Sequence, residues 1–108
     1  MTDYTSPLLL GYARRDLYLS DQRVERVKRE FAAIAKVEGY TMGSVYVEDP
    51  ATVPAAFEAL VESVNRYEVT AVLLPEWRHL ALIDDPAAVR FQFERATGAR
   101  CLPYDLGP

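Results

Sequence analysis

Cysteine and histidine are nearly absent from this sequence of 108 residues. Cys101 is the only cysteine and His79 is the only histidine. One cysteine excludes an internal disulfide and a cysteine-rich metal site, and one histidine excludes a multi-histidine metal site. We therefore expect neither a metal centre nor another cofactor. Cys101 falls in a predicted strand, where a lone cysteine behaves as a small buried apolar residue.

Long apolar runs are also absent. No stretch approaches the roughly 20 residues that a helix needs to cross a bilayer. The segment Leu8–Leu10 is too short for the core of a signal peptide, and the residues before it contain Asp3 but no basic cluster. We therefore expect a cytoplasmic protein with no membrane partner.

Positive charge is in deficit. Twelve basic residues face sixteen acidic ones, which gives a net charge of −4 and a pI near 4.9. DNA-binding domains draw most of their affinity from basic residues that neutralise phosphates. A local basic patch is compatible with these totals, so a DNA partner is possible but disfavoured.

The sequence has the length and apolar content of one folded domain, which we place at residues 1–108. Half of the residues are hydrophobic, enough for a packed core at this size. Short apolar runs alternate with amphipathic stretches along the chain. The runs predict four strands: Leu8–Ala13, Ser44–Glu48, Thr70–Leu74 and Arg100–Leu102.

Helix start and stop signals occupy the intervals between these strands. Ser20 suits an N-cap, and Gly39 suits the end of the helix that follows it. A second helix is predicted from Pro54 to about Asn65. Asp85 followed by proline predicts the start of a third helix, which should stop at Gly98. Ser20 could alternatively be a displaced nucleophile, but its place before a helix favours the cap.

Alternating strands and helices predict a three-layer α/β/α fold with a mainly parallel four-stranded sheet. In such folds ligands bind beyond the carboxyl ends of the strands. Polar and aromatic residues collect at those predicted ends, and any site should lie among them: Tyr12, Arg14, Arg15, Asp16, Glu48, Asp49, Glu76, Trp77, Arg78, His79, Tyr104 and Asp105. A magnesium or phospho-acceptor site would use Asp16, Glu48 and Asp49, but arginines after strand one and Pro75 after strand three disfavour it.

Five segments in order resemble the catalytic domain of the serine recombinases, the resolvase and invertase family. The family opens its first strand with a Gly-Tyr-x-Arg-x-Ser pattern and starts its first helix near a glutamine. Its second strand ends in an acidic residue, and an arginine-bearing segment follows its third. The resemblance as a whole runs from about residue 8 to residue 102. The segments that carry it are Gly11–Asp16, Asp21–Gln22, Val45–Asp49, Pro54–Leu60 and Val72–Leu80. The resemblance implies a resolvase-like fold.

The same segments depart from the family where its chemistry is done. Asp16 stands where the resemblance places the nucleophilic serine, and Val53 replaces the arginine of an Arg-Pro pair. Arg78 matches the first of two arginines, but Ala81 takes the place of the second. Residues 50–52 replace a Ser-Gly stretch. We also expect the family's long C-terminal helix and its DNA-binding domain to be absent.

These departures bear on one reaction, the attack of a serine oxygen on a DNA phosphate. That reaction needs a nucleophile and several arginines, whose planar forks hold the phosphate charge. A carboxylate at Asp16 would repel the phosphodiester instead of attacking it. We therefore expect no recombinase activity and no catalytic residue.

The remaining candidate residues each allow two interpretations. Arg14, Asp16 and Arg78 could form a remnant anion pocket or a set of salt-bridged loop residues. His79 could act as a general acid or base, or could be a surface or packing residue. Trp77 could contact a partner or pack against the sheet, and Tyr12 is a further possible contact residue.

Three functions remain open at this point. The first is a non-catalytic resolvase-like domain that binds a protein partner or a second copy of itself, with Phe91 on the third helix as a candidate exposed residue. The second is a DNA-binding accessory protein that uses arginines of the first helix. The third is an enzyme that binds a small anion at the strand ends.

Overall fold

Four strands form one parallel sheet in a computed structural model that describes residues 7–17 and 20–104. The strands pair in the order β2-β1-β3-β4, and every pairing is parallel. Their bounds are β1 (Leu8–Arg14), β2 (Thr41–Glu48), β3 (Ala71–Leu74) and β4 (Arg100–Pro103). The helices between them are α1 (Asp21–Val37), α2 (Ala55–Tyr67) and α3 (Pro86–Thr97).

The helices cover both faces of the sheet, which confirms the three-layer prediction. On one face α1 packs Phe31 and Ala35 against Leu9 and Leu73. On the other face α2 and α3 bury a larger cluster that contains Tyr12, Leu60, Val64, Leu74, Val89 and Phe93. Because both faces of the two central strands are covered, β3 and most of β1 are continuously buried instead of alternating.

The residues predicted to mark the ends of α1 and α3 occupy those ends in the structure. The Ser20 hydroxyl accepts a hydrogen bond from the Arg23 amide at 3.3 Å, so this serine is the N-cap of α1. Asp85 accepts from the Ala88 amide at 3.3 Å and caps α3. Gly98 follows α3 with a φ of +77°, a left-handed conformation that glycine adopts readily.

β2 is longer than its sequence indicated. It begins at Thr41 instead of Ser44. The register between β2 and β1 shifts after its first residues, since Leu9 pairs with Met42 but Gly11 pairs with Val45. β2 therefore carries one extra residue there, a β-bulge that interrupts its alternating pattern.

Close packing of β1 against α1 depends on the absence of a side chain at Gly11. A Cβ atom at this position would lie 2.8 Å from one ring carbon of Phe31 and 2.9 Å from the next. Phe31 is itself fully buried, so the ring has little freedom to move away. The glycine of the Gly-Tyr pair thus fixes the distance between helix and sheet.

None of the helices in the described part of the chain combines the length and the apolar character needed to span a membrane.

Candidate functional site

The strand order places a crevice between the carboxyl ends of β1 and β3. The chain moves from β1 to β2 on one side of the sheet and then to β3 on the other, so the winding reverses between β1 and β3. Open α/β sheets bind their ligands at such a reversal. β1 pairs with β3 only from Leu9 to Gly11, although it pairs with β2 as far as Arg14. Beyond Gly11, β1 therefore has no strand neighbour on its β3 side.

His79 fills this crevice. It lies on the short 3-10 helix Trp77–Leu80, which follows β3. The Nδ1 atom of His79 accepts a hydrogen bond from the backbone N–H of Arg14 at 2.9 Å. His79 is 2% exposed and Leu80 is 1% exposed. A side chain thus accepts the backbone hydrogen bond that a further residue of β3 would otherwise accept.

The chemistry of His79 follows from this position. Burial, together with the positive charges of Arg78 and Arg14, lowers the pKa of His79 to about 4. Because Nδ1 accepts a hydrogen bond, the proton of the neutral ring belongs on Nε2. The ring is therefore neutral at pH 7 and holds the end of β1 in place.

Arg14 and Asp16 form a two-pronged ion pair above the crevice. Arg14 Nε donates to Asp16 Oδ1 at 3.0 Å, and Nη2 donates to Oδ2 at 2.6 Å. The remaining nitrogen, Nη1, donates to the backbone carbonyl of Arg78 at 3.2 Å. All three guanidinium nitrogens are thus engaged. The hydrogen bonds from Arg14 lower the pKa of Asp16, so the carboxylate stays ionised.

Arg78 forms a separate ion pair with Glu76. Its Nε donates to Glu76 Oε1 at 2.8 Å, and the same oxygen accepts the Arg78 backbone N–H at 3.2 Å. The structure therefore brings Arg14, Asp16 and Arg78 together, but it matches each guanidinium with an acidic side chain. This arrangement fits the salt-bridged interpretation better than an open anion pocket.

Tyr12 and Glu48 form a second polar group beneath the strand ends. The Tyr12 hydroxyl donates to Glu48 Oε1 at 2.8 Å. The first turn of α2 supplies two more donors, the Phe57 amide to Oε1 and the Ala56 amide to Oε2, each at 3.0 Å. Both side chains are 0% exposed. The buried carboxylate is stabilised by three hydrogen bonds and by the positive end of the α2 dipole.

This role of Glu48 is not evident from the sequence alone, which places the residue as an acid at the end of a strand. The available signal was the acidic residue a few positions before a helix that has no Ser, Thr, Asp or Asn cap. Tyr12 and His79 were candidate contact residues, but both are buried and present no surface to a partner. Their visible role is to join strands and loops.

Trp77 and Phe91 differ in their surroundings. Trp77 is half-buried against the larger core cluster, and the Arg90 guanidinium lies 4.9 Å from the centre of its ring. Phe91 lies on α3 and is 63% exposed. Val89 and Phe93 turn the opposite side of α3 into the core. Phe91 is therefore the residue of this pair that is free to meet a partner.

The described residues show no further reactive centre. Within residues 7–17 and 20–104, no group of three or more His, Cys, Asp or Glu side chains is arranged to hold a metal ion. Cys101 is buried, and this burial together with the neighbouring Glu94 raises the pKa of its thiol to about 12. The thiol is therefore protonated and unreactive at neutral pH.

Comparison of the chain with models of known protein families gives no match. Comparison with curated protein sequences likewise gives none.

Proposed function

We propose that this chain is a non-catalytic, cytoplasmic relative of the serine-recombinase catalytic domain that binds a protein partner through the outer face of α3. The observation that carries the proposal is Phe91, a large aromatic side chain held 63% exposed on a helix whose other side is anchored in the core. Its partner presents an apolar pocket with an acidic rim.

The non-catalytic part of the proposal is supported by the state of the strand ends. Asp16 stands where the recombinase resemblance places a serine, and its carboxylate is held by both prongs of Arg14. The Arg14 guanidinium is therefore not available to bind two oxygens of a phosphate in the same way. His79 occupies the crevice where an α/β sheet would hold a small ligand. An enzyme that binds small anions there is correspondingly less well supported.

The partner chemistry is supported by the neighbours of Phe91. Arg95 is exposed one turn further along α3, on the same side of the helix as Phe91. Arg90 is exposed beside it, where it pairs with Glu94 at 3.5 Å and lies over the ring of Trp77. Aromatic and arginine side chains are the types most enriched in binding hot spots. An acidic rim around an apolar pocket complements this surface in charge and in shape.

Site-specific photo-crosslinking in cells tests this proposal. Benzoylphenylalanine placed at Phe91 should give a discrete adduct with a second protein. The matched control places the same group at Val37, which is 83% exposed on α1. An adduct at position 91 and none at position 37 is the expected result. No adduct at position 91, or the same adducts at both positions, would overturn the assignment of the α3 face.

DNA binding is less well supported because the basic residues of α1 are interleaved with acidic ones. Arg26 pairs with Glu30 at 3.1 Å, and Lys28 pairs with Glu25 at 3.3 Å. A titration of labelled duplex DNA at low salt separates the two functions. Binding that weakens steeply with added salt would favour the DNA-binding alternative over the protein partner.

A further inference from the structure

We propose that two copies of this chain associate through the free edge of β2 and join their four-stranded sheets into one. This inference is independent of the α3 surface and of the recombinase resemblance. It follows from the position of β2 at the edge of the sheet, where β1 is its one strand neighbour among residues 7–17 and 20–104.

Apart from the bulge near Gly43, the edge of β2 has little of the usual protection against pairing. An edge strand exposes unpaired N–H and C=O groups, and proteins commonly block them with lysine, proline or very short strands. β2 has eight residues, and all those from Thr41 to Val47 are uncharged and non-proline. Val45, Tyr46 and Val47 are residue types that favour strands. By contrast β4, at the opposite edge, has four residues and ends at Pro103.

The regular half of β2 is long enough to form a ladder. The bulge near Gly43 disturbs the first half, but Val45 to Glu48 pair in unbroken register with Gly11 to Arg14. Alternate residues of a parallel edge strand direct both backbone groups outward. Two such residues in each copy would supply about four interchain hydrogen bonds.

The side chains of Val45, Tyr46 and Glu48 lie against the two faces of the sheet and not over its backbone edge. The Tyr46 hydroxyl lies 2.5 Å from Ser63 Oγ, which ties the ring to α2 on one face of the sheet. Val45 packs with the α1 cluster on the other face. Glu48 is fully buried and bound to the start of α2, so its charge is turned away from the edge.

A second copy is the occupant that suits this edge. Pairing two identical strands around a two-fold axis must be antiparallel. When Val45 of one copy faces Val47 of the other, the regular halves of the two strands overlap and no like charges stand directly opposite each other. A pairing of this size gives a small interface, for which dissociation constants in the micromolar to millimolar range are typical.

Light scattering and hydrogen exchange on the whole chain, each from micromolar to millimolar concentration, test the proposal. The mass should rise from 12.2 kDa toward twice that value. Backbone amides of residues 41–48 should exchange more slowly at the higher concentration. Ser44→Lys, at an exposed position of β2, should keep the fold and hold the mass at the monomer value across the range.

Gln92→Lys adds the same charge at an exposed position of α3 and is the matched control. It should dimerise like the wild type, and so should Phe91→Ser, which separates this interface from the α3 surface. A monomer at every concentration would overturn the proposal. A dimer that persists in Ser44→Lys with no protection of β2 amides would overturn it as well, because the interface would then lie elsewhere.

Discussion

The Tyr12 hydroxyl and the Glu48 carboxylate meet at 2.8 Å in the interior, although 36 residues separate them in sequence. The bond connects neighbouring strands, β1 and β2, directly beneath the first turn of α2. Burial and the neighbouring Glu48 raise the pKa of Tyr12, so the phenol stays protonated and remains a donor. The pair therefore fixes three elements at once.

Removing the donor of this pair should destabilise the protein moderately. Tyr12→Phe keeps the ring, whose edge contacts Phe57 at a centroid distance of 5.6 Å. It takes one of three hydrogen bonds from the buried carboxylate, so we expect a loss of about 1–3 kcal/mol in the free energy of unfolding. Urea denaturation gives this value directly.

Removing the acceptor should cost more, because three donors then lose their partner. We expect Glu48→Ala to lose about 3 kcal/mol or more. In the double variant with Tyr12→Phe the total should be smaller than the sum of the two single losses. Strict additivity would show that the hydroxyl and the carboxylate do not stabilise each other.

His79 should make stability fall in mild acid. Its pKa is about 4 in the folded protein against an ordinary value of 6.5, so the unfolded chain takes up the proton first. The contribution is complete above pH 6.5 and is lost as the pH falls toward 4, a total of roughly 3 kcal/mol. The nearby Asp16 does not compete in this interval, because its lowered pKa places its own loss below pH 3.8.

The matched variant for this test is His79→Asn, whose side-chain oxygen can still accept the Arg14 N–H. Urea denaturation at several pH values should show a clearly shallower fall between pH 6.5 and 4 for the variant. Equal slopes in the two proteins would assign the acid sensitivity to other groups.

A serine at position 16, where the recombinase resemblance expects one, should not produce DNA cleavage. Asp16→Ser removes the partner of Arg14, but Ala81 and Val53 still stand where the resemblance expects arginines. We expect no nicking of supercoiled DNA by the variant or the wild type. The lost ion pair is partly exposed, so stability should change by about 1 kcal/mol or less. Cleavage by the wild type would contradict the non-catalytic assignment.

A methyl group at Gly11 should strain the contact between β1 and α1. Gly11→Ala places a Cβ 2.8 Å from a ring carbon of Phe31, and we expect a loss of about 1–3 kcal/mol. Adding Phe31→Leu shortens the opposing side chain. The double variant should therefore be more stable than the sum of the two single losses predicts.

The parts of the fold that short segments encode were predictable from the sequence. Ser20, Asp85 and Gly98 mark helix ends through bonds and backbone angles within a few residues, and the structure has the helices there. The start of β2 was missed because the bulge breaks the pattern over Gly43 and Ser44. That irregularity comes from pairing with β1 and has no local signature.

The environment of the candidate site was less predictable for the same reason. His79 is buried where its ring accepts the backbone N–H of Arg14, 65 residues away in the chain, beyond the end of β3. Glu48 is buried where it accepts two amides of the first turn of α2, a helix that has no side-chain cap at Pro54. In both cases a hydrogen-bond partner is distant in the chain. The residues next to His79 and Glu48 in the sequence therefore predict exposed side chains instead of buried ones.

The imidazole between β1 and β3 makes the polypeptide its own ligand. Because this side chain belongs to the same chain, the region between the two strand ends is completed in the act of folding. Phe91 on α3 and Ser44 on β2 are exposed and lie outside this region. A substitution at either position can therefore change the outer surface of the domain without disturbing the packing between β1 and β3.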